Sequence, residues 1–294
     1  LTPLSRGAAV ALMIVAPTLW STAGVVTRHI ERAGAMEQVF WRSLFAAAFV
    51  AAAMAFLRIS PLRVGKPGLI SGAMWAVMFT AFVIALSLTT TANTLVVMSV
   101  SPFLTALLGK AFLHDPVPVR TWIAAALAAV GLTWMFAGGL QMSARDVAGM
   151  LIALAIPAAS AVNVVALRAA HASLDLRPAV MMGAALSCLI ALPLALPLSA
   201  SLKDVLLLAF LGVFQLGLPC LLLVMASRSL LGPELALLGL LEVVLGPLWA
   251  WLGAGEVPAY ATLVGGAMVL AALVANEVFA YNAQQASSVT RISG

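Results

Sequence analysis

Residues 68–88 read GLISGAMWAVMFTAFVIALSL, a stretch of 21 residues without one charge. Coiled as an α-helix it would be roughly 30 Å long, which is the thickness of a bilayer's hydrocarbon core. Similar runs fill the rest of the chain, at 7–28, 35–57, 92–112, 119–138, 147–168, 178–199, 204–226, 234–252 and 259–281. Breaker residues fall between them: Pro61 and Pro67, Pro116 and Pro118, Gly138-Gly139, Pro178, Gly232-Pro233 and Pro258. The runs are continuous and rich in Ala, Leu and Met, unlike the alternating pattern of a membrane β-barrel. The run at 7–26 is too long for the core of a signal peptide and is followed by Arg28 and Arg32, so it is read as a retained span.

Composition agrees with lipid as the solvent. Apolar residues are 64% of the chain and charged residues only 9%, against about a quarter in soluble domains. Mean hydropathy is +1.13. Ten spans leave no room for a folded soluble domain. The net charge of +5 comes from cations at span ends, without the basic clusters interleaved with aromatics that nucleic acid would need. With the amino terminus inside, ten Lys/Arg fall on the inner side and four on the outer. This predicts a multi-pass protein of the cell inner membrane with both termini cytoplasmic. Cys188 and Cys220 lie inside apolar runs and read as small core residues rather than metal ligands.

The chain also repeats itself. At an offset of 141, Asp115 falls on Glu256, Asn93 on Glu234, and Ser101-Pro102 on Glu242-Val243. At an offset of 140, Pro17 falls on Pro157 and Arg28 on Arg168. Residues 1–141 and 142–282 therefore read as two five-span copies, followed by a polar, disordered tail at 283–294. An odd number of spans per copy inverts the second copy in the membrane. Inverted repeats of this kind build transporters with a site near the midplane, between the halves. The expected fold is an all-α integral membrane protein, with ten transmembrane helices as a 5+5 inverted-topology repeat around a central cavity.

This layout resembles the drug/metabolite transporter superfamily, and within it the EamA-type members. The family's landmark is a Glu-Pro pair in the fourth span of each repeat, followed by Gly-Glu near its end. Here the matching positions hold Ser101-Pro102 with His114-Asp115, and Glu242-Val243 with Gly255-Glu256. Each copy keeps half of the Glu-Pro pair, and the spacing from Pro102 to Asp115 equals that from Val243 to Glu256. Trp20-Ser21 in the first span is a further similarity. The resemblance implies a small-solute carrier, in the first place an exporter of aromatic and other neutral amino acids working by alternating access. Other cargoes stay open: a drug cation, a nucleotide sugar or a phosphorylated sugar. A passive channel is a further alternative.

Several side chains could meet a solute. Glu242 sits near the middle of its span, where an acidic residue costs on the order of 3 kcal/mol to insert. It reads as a cavity-facing carboxylate for a proton or an amine, or as a tie between helices. Arg42 cannot shed its proton. It either clamps a carboxylate or snorkels to the headgroups, with Glu37 as a possible partner. Trp75, Met78, Phe79 and Phe82 share one helix face, and Trp20 lies at similar depth. These rings form either a stacking wall or ordinary helix packing. Asn163 and Gln215 are deep amides, with Ser99 and Ser101 as lesser relatives, and each could bind solute or a neighbouring helix. Pro17, Pro102, Pro157, Pro219 and Pro247 interrupt spans and are candidate hinges, since each removes a backbone donor. Gly68 and Gly72 form a small-residue contact.

The chemistry of an enzyme is missing. No Gly-rich phosphate loop is present, so no ATP-driven cycle is expected, and no HExxH pattern appears. Neither a cofactor nor a metal is expected. The partners are a small solute and the lipid bilayer, not nucleic acid, and the sequence leaves monomer and oligomer open.

Overall fold

Long apolar runs with few caps become helices here because a helix satisfies its own backbone, which lipid cannot do. The computed structural model describes residues 4–292, apart from 28, 61–63, 90–93, 95–96, 99, 115–116, 137–142, 171–173 and 255–259. In chain order the helices are α1 (Arg6–Trp20), α2 (Ala23–Thr27), α3 (Ala35–Phe56), α4 (Gly65–Leu88), α5 (Ser101–Leu108), α6 (Val119–Phe136) and α7 (Ala144–Ala153). They continue with α8 (Ala155–Ala169), α9 (Arg177–Ala195), α10 (Leu202–Phe210), α11 (Leu218–Ala226), α12 (Gly232–Gly239), α13 (Leu241–Ala254) and α14 (Tyr260–Ile292). Two π-helical stretches, Gly109–Leu113 and Leu211–Gly217, extend α5 and join α10 to α11. No strand occurs among the described residues.

Six stretches are long and apolar enough to cross a membrane: Arg6–Thr27, Ala35–Phe56, Gly65–Leu88, Ala144–Ala169, Arg177–Ala195 and Leu202–Ala226. Ser101–Leu113, Val119–Trp134 and Leu263–Asn276 are shorter apolar helices. The outer surface carries exposed Ile14, Phe56, Leu69, Ile70, Phe112 and Ile123. Water would penalise such a surface, and lipid does not.

The breaks within spans have local causes. Pro17 lies within α1, which ends a turn later at Ser21 and Thr22, whose hydroxyls donate to the Thr18 and Leu19 carbonyls between α1 and α2. Pro157 lies in the first turns of α8, just after the break at Leu154. The two prolines are 140 residues apart, but the neighbouring breaks fall on opposite sides of the ring. Pro102 stands at the start of α5, where a missing N–H costs nothing. Pro219 lies inside the continuous stretch Leu202–Ala226, where the π-helical turn passes into α11. Pro219 also cannot donate to the Gln215 carbonyl, and the π-helical stretch ends just before it. Pro247 lies within α13, and its ring is outside the described side chains.

The tail expected to be disordered instead continues α14 to Ile292. Ala, Gln and Ser at 283–288 carry no breaker, so nothing local stops the helix.

Glycines let the helices approach. A Cβ on Gly183 of α9 would lie 2.3 Å from the Trp75 Cβ and 2.8 Å from the Gly72 carbonyl oxygen on α4. A Cβ on Gly212 would lie 2.6 Å from the Arg42 carbonyl oxygen and 2.7 Å from the Phe45 Cβ on α3. Gly72 and Gly212 are related by the offset of 140, so the same close crossing is made twice. The Ser43 hydroxyl donates to Ser187 (3.2 Å), and Thr80 shares a hydrogen bond with Ser187 (3.1 Å), tying α3, α4 and α9.

The polar contacts sort by end. At the end where the chain starts, Arg6 meets Glu234 of α12 and Ser229 donates to the Leu4 carbonyl. Arg228 donates there to the Leu174 carbonyl. At the opposite end, the Glu37 carboxylate accepts from the Ser199 and Ala200 amides, and Asp204 accepts from the Glu31 and Arg32 amides. Thr89 donates to Asp146 there.

Candidate functional site

A cavity of about 160 Å³ lies at the centre, roughly ten times the room one water needs. Its wall is built from α1, α3, α4, α5, α8, α11, α12, α13 and the π-helical stretch Leu211–Gly217. Trp20, Arg42, Trp75, Met78, Phe79, Phe82, Asn163, Gln215 and Glu242 all line it. Ser99, expected with them, lies outside the described residues, and Ser101 lines the wall instead.

Eight wall residues fall into four pairs at the offsets noted in the sequence. Trp20 corresponds to Ser160 and Trp75 to Gln215 at an offset of 140. Ser101 corresponds to Glu242 and Met98 to Gly239 at 141. All eight residues line the cavity. The first half supplies the rings, and the second half supplies most of the hydrogen-bonding groups. Trp75 and Phe79 lie tilted against each other with centroids 5.4 Å apart.

Three wall residues bury polar atoms without hydrogen-bond partners among the described residues: Arg42 at Nε, Trp75 at Nε1 and Gln215 at Oε1. Arg42 is 4% exposed. Its one hydrogen bond from the guanidinium to the described residues is a long one, from Nη2 to the Phe79 carbonyl, 3.4 Å. Snorkelling and pairing with Glu37 are therefore both corrected. Five residues along a helix turn the two side chains about 140° apart. Glu37 spends its carboxylate on Ser199, Ala200 and Trp41. Asn163 plays two parts, accepting from Ser71 on α4 (2.6 Å) while lining the cavity. Glu242 stands in the first turn of α13, where the span bends at Leu240, and makes no hydrogen bond to the described residues.

Beside the cavity-lining Leu235 and Ala236, the Glu234 carboxylate is buried under Arg6 (3.0 Å) and Arg120 (3.8 Å). Arg168, at the end of α8, adds its charge nearby. At the other end of the α1 span, the Trp249 indole donates to Ser21 at the break between α1 and α2 (2.8 Å).

Sequence reading missed Ser160, Met98 and Cys220 as wall residues, and the cluster on Glu234. The repeat offset applied to Trp20 would have found Ser160. Asp115, Gly255 and Glu256, which carry the second family landmark, lie outside the described residues. Cys188 and Cys220 are buried free thiols, and no metal-ligand cluster occurs among the described residues.

A bundle of apolar helices enclosing a polar-flecked chamber is the form of a multi-pass membrane protein. Residues 7–137 are similar to the EamA-like transporter family. Members of that family are transporters of small solutes, not enzymes. No curated protein sequence matches the chain. A solved structure described only as "Crystal structure of protein" shares the fold, with a TM-score of 0.79 at 20% identity. The match covers 95% of this chain and 99% of that one.

Proposed function

We propose that the protein is a secondary carrier that exports small metabolites, first of all aromatic and other neutral amino acids, across the inner membrane by alternating access. Ten spans arranged as a 5+5 inverted repeat, 1–141 against 142–282, supply the mechanism. Packing supports that reading, because it survives exchange of the halves. The second span, α3, packs on the seventh, α9, and the fifth, α6, on the tenth, α14. The third packs on the sixth as the eighth packs on the first. The sorting of polar contacts by end fits alternating directions. The starts of the first and ninth spans meet at one end, and the starts of the second, sixth and eighth lie at the other.

The observation that carries the function is the cavity between the halves, with rings on one side and hydrogen-bonding groups on the other. A flat apolar body stacks on Trp20, Trp75 and Phe79, which gain most from burying ring surface. The polar end of the solute turns to Gln215, Asn163 and Glu242. Within this wall Arg42 is the one basic residue among those described. Phosphorylated sugars and nucleotide sugars carry more negative charge than one guanidinium balances, which argues against them. Rocking of the halves about the interrupted spans at Pro17 and Pro157 would expose the cavity to each side in turn, with the Arg6–Glu234 pair closing one mouth.

The test is exchange in proteoliposomes holding purified protein. Preloaded unlabelled phenylalanine or tryptophan should accelerate uptake of the labelled amino acid severalfold over empty vesicles. Stepwise currents in planar bilayers would replace the carrier by a channel. Exchange seen only with sugars or drug cations would remove amino acids as cargo.

A further inference from the structure

Buried polar atoms in folded proteins almost always find a partner, and the exceptions call for an explanation. Among the described residues five side-chain atoms are such exceptions: Arg120 Nε and Glu234 Oε1 belong to one ion pair, whereas Arg42 Nε, Trp75 Nε1 and Gln215 Oε1 come from different helices and all line the central cavity. Each of these last three side chains is more than nine-tenths buried. Arg42 is the sharpest case. A guanidinium keeps its charge at any physiological pH, and a buried charge without a counter-ion is costly. No carboxylate among the described residues lies within ion-pair distance of it. Its place is held firmly, because Gly212 seats the Arg42 backbone directly against the Leu211–Gly217 stretch that also carries Gln215.

The unmet groups are two donors and one acceptor. Their complement is a solute with a charged acceptor at one point and a donor at another. We propose that Arg42 and Trp75 hold the carboxylate of the transported solute, while Gln215 accepts from its ammonium group, so that the cavity selects a zwitterion. This rests on the amino-acid reading above and names the residues that enforce it. The repeat explains why one carboxylate is read and not two. The partner of Arg42 at an offset of 140 is Met182, which brings no charge and does not line the cavity. The rings then accept the side chain with little regard to its identity, whereas the head group is read strictly. A site built to hydrogen-bond a group rejects analogues lacking it far more strongly than a hydrophobic wall rejects a change of shape.

Equilibrium binding to the purified full-length protein tests the set, with four probes of one body: L-phenylalanine, L-phenylalaninamide, 3-phenylpropionate and 2-phenylethylamine. L-Phenylalanine should bind at least tenfold more tightly than each of the others. Arg42→Gln should bring L-phenylalanine and its amide to within about twofold. Gln215→Leu should do the same for L-phenylalanine and 3-phenylpropionate. Trp75→Phe, which keeps the ring and loses the N–H, should lower the preference for carboxylate over amide severalfold. If Arg42→Gln does not fold, the wild-type ratios and the other two variants decide. Equal binding of L-phenylalanine and its amide by the wild type overturns this recognition set and leaves the amino-acid carrier standing. Retention of the tenfold ratio by a folded Arg42→Gln overturns it as well. Binding of none of the four probes removes both readings.

Discussion

Arg42 and Glu234 are both buried ions in apolar helices, at 4% and 1% exposure, yet their surroundings are opposite. Glu234 lies at a helix start, takes Arg6 and Arg120 as partners and accepts from the Leu231 amide at 3.2 Å. Arg42 lies in the cavity wall with one long bond to a carbonyl. The carboxylate that holds helices together thus has two cationic partners, while the guanidinium in the cavity wall has no carboxylate partner among the described residues. A paired buried ion resists removal of its partner, while an unpaired one costs stability as long as the cavity is empty.

Removing the paired charge should have the largest effect. Glu234→Gln keeps the shape and removes the buried charge that Arg6 and Arg120 share, at a cost of about 3 kcal/mol. A melting curve in detergent should fall accordingly, and a parental melting temperature would show the two ions to be equivalent after all. Next is the frame that holds the wall. Gly183→Ala drives a Cβ into Trp75 and the Gly72 carbonyl, costing about 1–3 kcal/mol and loosening amino-acid binding as α4 and α9 part. Arg42→Met should reverse the sign. Taking the unpaired charge away should hold or raise stability by about 1 kcal/mol while exchange is lost. A large drop in melting temperature would mean that the guanidinium holds the helices too.

The smallest effect belongs to a charge outside the membrane spans. Burial pushes the Asp175 carboxyl up, but its hydrogen bonds from Arg177 outweigh this and lower it below the ordinary value. A lowered folded value adds stability above the unfolded pKa, and that stability is lost as pH falls through the folded value. Melting temperatures of Asp175→Asn and the parent should therefore converge on acidification below about pH 4. A constant difference down to pH 3 would contradict this.

Part of the site was legible from spacing alone. Trp75, Met78, Phe79 and Phe82 share a face by helical periodicity, and Gln215 across the cavity lies 140 residues on from Trp75. Arg42 was harder. Whether it snorkels or turns inward depends on the rotation of α3, which is set by Gly212 pressing on its backbone from a helix 170 residues away. Glu37 was read against its own helix, whereas its partners Ser199 and Ala200 come from a distant loop. The broken spans were half legible, since the prolines mark where a donor is missing but not on which side the helix yields.

The sequence by itself determined that the chain lives in lipid, roughly where its apolar helices lie, and which residues recur at a common offset. These are consequences of local chemistry: apolar runs of bilayer length, breakers between them and an offset that recurs. Only the tertiary structure decided which polar groups are satisfied and which are left facing a common hollow. Satisfaction depends on neighbours brought together across the whole chain, and no local pattern records which carbonyl, amide or arginine a buried charge will meet.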